Sequence, residues 1–168
     1  ETTSWTKGCI LSRSTCIVAG LEVATEVFRQ VDSRVKLTSQ RSDGDSCVAG
    51  EVVANLSGVA RSILAGERTA LNFLQRLSGI ATLTRAFVDA SAGVLTVLDT
   101  RKTTPTLRRL EKYAVRVGGG SNHRFALDDG VLMGRGALCV FTLEMVRNYR
   151  QVETFWKHWP FWLKLDEA

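Results

Sequence analysis

Two segments of this chain group cationic and hydrogen-bonding side chains at spacings suited to holding an anion. Residues 99–105 read DTRKTTP and residues 118–124 read GGGSNHR. In the first, Arg101 and Lys102 follow directly on an apolar run, residues 95–99 (LTVLD), which has the pattern of a buried parallel strand ending in a loop. In α/β folds, ligand-binding side chains lie just past the carboxyl ends of such strands. A planar guanidinium beside a compact ammonium suits a carboxylate or a phosphate, and Thr103, Thr104 and Pro105 add hydroxyl donors and a rigid turn. In the second segment, Gly118-Gly119-Gly120 lets the backbone approach a ligand or another stretch of chain closely. Asn122, His123 and Arg124 then supply an amide, an imidazole and a guanidinium in succession. The plain alternatives are a solvated Arg-Lys pair on a loop and a structural histidine. A further cation, Arg68, follows Glu67 inside a helical pattern, where an exposed ion pair is the ordinary reading.

The elements that must position these groups follow from periodicity. Residues 16–19 (CIVA) are a short apolar run, Gly20 breaks it, and Leu21, Ala24, Val27 and Phe28 recur at helical spacing before Val31, so strand, turn and helix are predicted. Val35 and Leu37 alternate with polar neighbours. Asp43-Gly44-Asp45 supplies a turn in which Gly44 takes a positive φ. Cys47-Val48, residues 51–54 and Leu56 suggest short strands punctuated by Gly50 and Gly58. From Ser57 a long helical pattern begins, with Ala60, Ile63, Leu64, Leu71, Leu74 and Leu77 on one apolar face. Gly79 is expected to interrupt it before a second amphipathic stretch over residues 80–90. Behind the strand at 95–99, a helix is predicted over residues 106–117 with Leu107, Leu110 and Ala114 inward, then a short strand at residues 130–133 (GVLM).

Composition limits the classes of function. The chain has 168 residues, 45% of them hydrophobic, and only 2 prolines, enough to bury one sizeable core or two small ones and unlike a disordered linker. The net charge of +5 is spread along the chain without a dense basic run interleaved with aromatics, which argues against nucleic acid as a partner. Cys9, Cys16, Cys47 and Cys139 show no C-x-x-C pairing and no histidine at metal-ligand spacing, so reduced thiols are expected and no metal site among them. No stretch is apolar and long enough to span a bilayer, so no membrane partner is expected. The start at Glu1 resembles neither a signal nor a transit peptide. The chain is expected to begin inside a longer protein and to be cytoplasmic.

Read in order, residues 67–82 (ERTALNFLQRLSGIAT), 99–105 (DTRKTTP), 110–124 (LEKYAVRVGGGSNHR) and 127–133 (LDDGVLM) resemble the quinolinate phosphoribosyltransferase family, the carboxylating nicotinate-nucleotide pyrophosphorylases. Residues 18–28 (VAGLEVATEVF) and 42–45 (SDGD) resemble that family's amino-terminal domain, so the likeness covers roughly residues 5–133. The resemblance implies an α+β N-terminal domain followed by the first part of an incomplete α/β barrel. The divisions it implies are residues 1–58 as the N-terminal module, 59–94 as the helical segment joining the domains, 95–133 as the start of the barrel, and 134–168 as a divergent aromatic-rich tail. It further implies transfer of phosphoribose from phosphoribosyl pyrophosphate to quinolinate, giving nicotinate mononucleotide, pyrophosphate and CO2 for NAD synthesis. Thr100, Arg101, Lys102, His123 and Arg124 would bind substrate, with Arg101 and Lys102 as the catalytic pair and Leu132 and Met133 as apolar wall. Arg68 would reach the site of a partner subunit, making a homodimer the active unit. Mg²⁺ would accompany phosphoribosyl pyrophosphate, its acidic ligands lying outside this chain.

The chain also departs from the family. Thr106 stands where the family has glycine. After Met133 it reads Gly134-Arg135-Gly136-Ala137 where the family continues Lys-Asp-Asn-His, so the expected substrate lysine is absent; Arg135, one position away at a strand end, would face the opposite side. Residues 138–168, with Phe141, Tyr149, Phe155, Trp156, Trp159, Phe161 and Trp162, carry no family motif. These departures keep open a second reading: a non-catalytic truncated fragment that retains dimer-forming and anion-binding surfaces.

Overall fold

The structure, a computed structural model, describes residues 4–125. In chain order its elements are β1 (Trp5–Leu11), β2 (Cys16–Ile17), α1 (Leu21–Val31), β3 (Lys36–Ser39), β4 (Ser46–Cys47), β5 (Val52–Val59), α2 (Ala60–Ala90) and α3 (Arg108–Val117). An antiparallel sheet in the order β1-β5-β3 lies beside the small β2-β4 ladder. Ile10, Val53 and Leu56 from the sheet, Leu21, Ala24 and Phe28 from α1, and Ile63, Ala70 and Leu74 from α2 form one core. Phe28 is among its largest fully buried side chains. Gly66 lets that ring approach α2, since a Cβ there would stand 2.9 Å from Phe28 Cδ1. A smaller cluster of Ile17, Ala19, Leu77, Ala81 and Ala114 joins the end of β2, through α2, to α3.

Strand, turn and helix over residues 16–31 form as the spacing predicts. Gly20, at φ 102°, takes the left-handed turn that ends the strand. It has no side chain to cap α1, and Asp43 does so from the following turn, accepting from Gly20 N–H at 2.7 Å and Leu21 N–H at 3.1 Å. Hydroxyls of α2 satisfy the backbone between: Thr82 Oγ1 accepts from Ile17 N–H at 2.8 Å and Ser78 Oγ from Ala19 N–H at 3.0 Å. Gly44 adopts φ 102° as expected.

Four expectations are corrected. The short strands expected between Glu51 and Leu56 are one strand, β5, which runs through Gly58; a Cβ there would meet Val35 Cγ2 at 2.9 Å. α2 runs unbroken for 31 residues through Gly79. A glycine costs about 1 kcal/mol inside a helix, and the burial of Leu77, Ser78, Gly79 and Ala81 around it outweighs that cost. Leu64 is 55% exposed and does not join Ile63 on the buried face. The strand at 95–99 reduces to a single parallel bridge between Leu98 and Ser121, with Leu95 63% exposed. A parallel strand is stable where both its faces are covered, and Leu95 and Leu98 are exposed on this one.

Cys9, Cys16 and Cys47 are free, and burial raises the Cys16 and Cys47 thiol pKa values. Cys139, the strand expected at 130–133 and the tail lie outside the described residues. Among the described residues, no helix is long and apolar enough to cross a membrane.

Candidate anion-binding site

The Leu98–Ser121 bridge sets the two cation-bearing segments side by side. Asp99 N–H donates to Ser121 O at 3.2 Å and Ser121 N–H donates to Val97 O at 2.8 Å. Thr100, Arg101 and Lys102 therefore leave one segment end while His123 leaves the other. Asp99 lies between them, its Oδ1 accepting from His123 N–H at 2.8 Å and from Lys112 Nζ at 2.5 Å. Lys112 belongs to α3, whose buried residues are Glu111, Lys112 and Ala114. The inward positions expected at Leu107 and Leu110 are only half-buried. Two charged residues fill the space because each has a charged partner there.

The loop between Asp99 and α3 is braced from both helices. Arg76 of α2 pairs with Glu111 and donates to Thr104 Oγ1. Thr104 N–H donates to Glu111 Oε2 at 3.2 Å. Arg108 Nε donates to Thr103 Oγ1 at 3.1 Å, and its Nη2 to the Arg101 carbonyl at 3.3 Å. Burial pushes the Glu111 pKa up, but the hydrogen bonds from Arg76 and Thr104 outweigh it and hold the carboxyl below its ordinary value. The Thr103 and Thr104 hydroxyls, expected as ligand donors, accept hydrogen bonds within the loop from Arg108 and Arg76.

Of the expected substrate contacts, the structure brings Thr100, Arg101, Lys102 and His123 to this end of the fold. Thr100 Oγ1 accepts from Lys102 N–H at 3.1 Å. Lys102 is exposed and Arg101 and His123 are half-buried. Arg101 Nε is buried with no hydrogen-bond partner. Arg41 and Arg85 share that condition, but Arg41 is already ion-paired through Nη2 with Glu51, and Arg85 lies within α2 and not on the loop. Arg124 directly follows His123 in sequence. Arg68 is not brought to the loop: it is exposed on α2, eight residues and so about 12 Å along the helix before Arg76. Leu132 and Met133 lie outside the described residues.

The glycine triplet serves a different contact from a ligand cradle. A Cβ at Gly118 would collide with the Ala81 carbonyl and stand 2.7 Å from Thr84 Cβ; one at Gly120 would lie 2.8 Å from both Thr84 Cγ2 and Val115 Cγ1. Gly118 and Gly120 let the end of α3 lie on α2. Sequence reasoning allowed this close approach between chain segments but did not assign it. It missed Asp99 and Lys112 as partners, because Lys112 lies off the helical face of Leu107, Leu110 and Ala114 and nothing local marks it as buried.

Thr106 has φ 69°, a left-handed conformation that a β-branched residue adopts only at a cost. The glycine expected from the family resemblance suits such a backbone. Thr106→Gly is expected to raise the unfolding free energy by about 1 kcal/mol, after allowing for the freedom glycine gives the unfolded chain. Urea denaturation checks this, and a lower midpoint would contradict the strain.

The described residues do not fit Mg²⁺. Both carboxylates at the site are engaged, Asp99 by Lys112 and His123 N–H, Glu111 by Arg76 and Thr104. Among the described residues no group of His, Cys, Asp or Glu is placed to hold a metal ion.

Residues 2–78 match the N-terminal domain of quinolinate phosphoribosyl transferase and residues 80–158 its C-terminal domain. The second match carries past Met133, where the family motifs end. A probable nicotinate-nucleotide pyrophosphorylase [carboxylating] of Bacillus subtilis (strain 168) is 47% identical, over 84% of this chain and 50% of the relative. Quinolinate phosphoribosyltransferase [decarboxylating] 1 of Nicotiana glauca is 47% identical over 73% of this chain and 35% of the relative. Among solved structures, NadC from Streptococcus pyogenes superposes with a TM-score of 0.77 at 41% identity, covering 89% of this chain and 56% of that one. The chain spans half or less of the length of these two curated relatives. Its α+β N-terminal domain and partial barrel, its ordered motifs and these matches agree: the chain belongs to the quinolinate phosphoribosyl transferase family.

Proposed function

We propose that this chain carries the amino-terminal part of a phosphoribosyltransferase site that takes quinolinate and phosphoribosyl pyrophosphate to nicotinate mononucleotide, pyrophosphate and CO2, in the cytoplasm and as a homodimer. The observation that carries the reading is Arg101, whose buried and unpartnered Nε is a donor held in place without an acceptor. Such a group costs free energy unless a ligand completes it, and an anion is the acceptor that a guanidinium favours.

Quinolinate carries two carboxylates on a pyridine ring. Arg101, Lys102, His123 and Arg124 would fix them, leaving the ring nitrogen free to meet the ribose anomeric carbon. As the N-glycosidic bond forms and pyrophosphate leaves, the ring nitrogen becomes cationic and serves as the electron sink for loss of CO2. The electron pair left on the ring carbon by departing CO2 takes a proton from solvent, so the chain's own residues bind and orient, with little need for a protein acid or base. Mg²⁺ accompanying the diphosphate is part of the proposal, but no step is assigned to it, because the carboxylates at hand are engaged. Arg68, exposed and apart from this loop, would serve the partner's site.

One observation favours the second reading, a non-catalytic fragment: Gly134-Arg135-Gly136-Ala137 stands where the resemblance leads one to expect the substrate lysine. Calorimetric titration with quinolinate at low salt, with Arg101→Ala and Arg124→Ala as controls, separates the two. Saturable binding lost in both variants is the expected result. A folded chain that takes up no quinolinate would replace the enzyme reading with the fragment.

A further inference from the structure

A charged pair sits where the site should need only a scaffold. The Asp99 and Lys112 side chains are 6% and 3% exposed, and a buried pair of this kind adds little stability, because desolvating both charges offsets their attraction. Its connections are more informative. Lys112 Nζ donates to Asp99 Oδ1 at 2.5 Å and to the His123 carbonyl at 2.9 Å. His123 N–H donates to that same Asp99 oxygen at 2.8 Å. The Asn122 amide, oriented by its hydrogen-bond partners, donates to Asp99 Oδ2 at 2.8 Å and to the Lys112 carbonyl at 2.9 Å. One ammonium therefore ties together the last residue before Thr100-Arg101-Lys102 and the backbone of His123.

We propose that Lys112 is a positioning residue for the carboxylate-binding set, setting the relative placement of the Arg101 loop and His123 without touching the ligand. The proposal rests on the reading of that set as a quinolinate site. Its physical basis is that the backbone joins the two segments by a single parallel bridge and that the remaining links between them converge on the Asp99 carboxylate, whose placement against His123 the Lys112 ammonium fixes from both sides. A cationic donor with several N–H bonds can bridge a carboxylate and a carbonyl at once, and its burial shields the link from water.

The test uses the full chain and two variants. Lys112→Met removes the bridge but strands the Asp99 carboxylate, which destabilises the fold for a trivial reason. Asp99→Asn/Lys112→Met removes both charges and keeps an acceptor for His123 N–H, so stability returns while the bridge stays absent. Amide hydrogen exchange is read as the ratio of the rates at Ser121 and His123 to those at Ala54 and Leu56 in β5. The ratio is expected to rise about tenfold in both variants, and quinolinate affinity to fall about tenfold in the double variant despite its recovered stability. A ratio that stays at its parental value, or protection and affinity that return together with stability, would reduce Lys112 to a structural role. If the parental chain takes up no quinolinate, the quinolinate reading fails by itself, and the exchange ratio still decides whether Lys112 holds the two ends together.

Discussion

Asp43→Ala is expected to lower the unfolding free energy by about 3 kcal/mol, adding to the loss of a helix cap that of the acceptor for a half-buried hydroxyl. The carboxylate accepts from Gly20 N–H and Leu21 N–H at the start of α1 and from the Tyr113 hydroxyl of α3 at 2.6 Å. Burial, then the hydrogen bond to Asp43, raises the Tyr113 pKa, so the phenol stays a donor throughout the physiological range. The negative charge also sits against the positive end of the α1 dipole. For a chain of this size the loss corresponds to a fall in melting temperature of about 9 °C. Asp43→Asn, which keeps one acceptor, should lose roughly half as much. Thermal unfolding followed by circular dichroism distinguishes the three proteins, and equal midpoints would show that the turn at 42–45 does not bind α1 to α3.

Gly118→Ala is expected to cost about 3 kcal/mol by overpacking. Its φ of −69° suits any residue, so the cost is one of space alone: the added methyl would be driven into the Ala81 carbonyl and Thr84. Gly44 is the complementary case, with open space around it but φ 102°, and Gly44→Ala should cost about 1 kcal/mol through backbone strain. Denaturant titration of both variants tests the assignment. If Gly118→Ala keeps its midpoint while anion affinity falls, the triplet is a ligand cradle after all, and the contact with α2 is incidental.

What could be read from the residues alone was what local physics controls. Gly20 and Gly44 announced their turns because both positions need the left-handed backbone. The helical spacing from Leu21 to Phe28 announced α1, and the switch from apolar run to Arg101-Lys102 placed the candidate site at a segment end. What escaped depended on distant contacts. β1 carries Lys7 and Gly8 among partly exposed neighbours and gains its register only from β5. Gly79 reads as a break until Leu77 and Ala81 are seen to be buried on either side of it. Glu111 and Lys112 read as solvent-facing charges on α3, and only Arg76, thirty-five positions earlier, and Asp99 make their burial tolerable. The glycine run had two uses open to it in sequence, and the nearness of α2 decided between them.

The bracing of the loop by Arg76, Arg108 and Glu111 has a thermodynamic consequence. Thr106 is held in a conformation its side chain opposes, so the shape of this loop is imposed by α2 and α3 and not by its own preferences. A loop shaped in that way has already lost most of its conformational freedom during folding. An anion arriving at Arg101 then meets a surface with little left to order, and the entropic penalty of its capture is that of the ligand more than that of the protein.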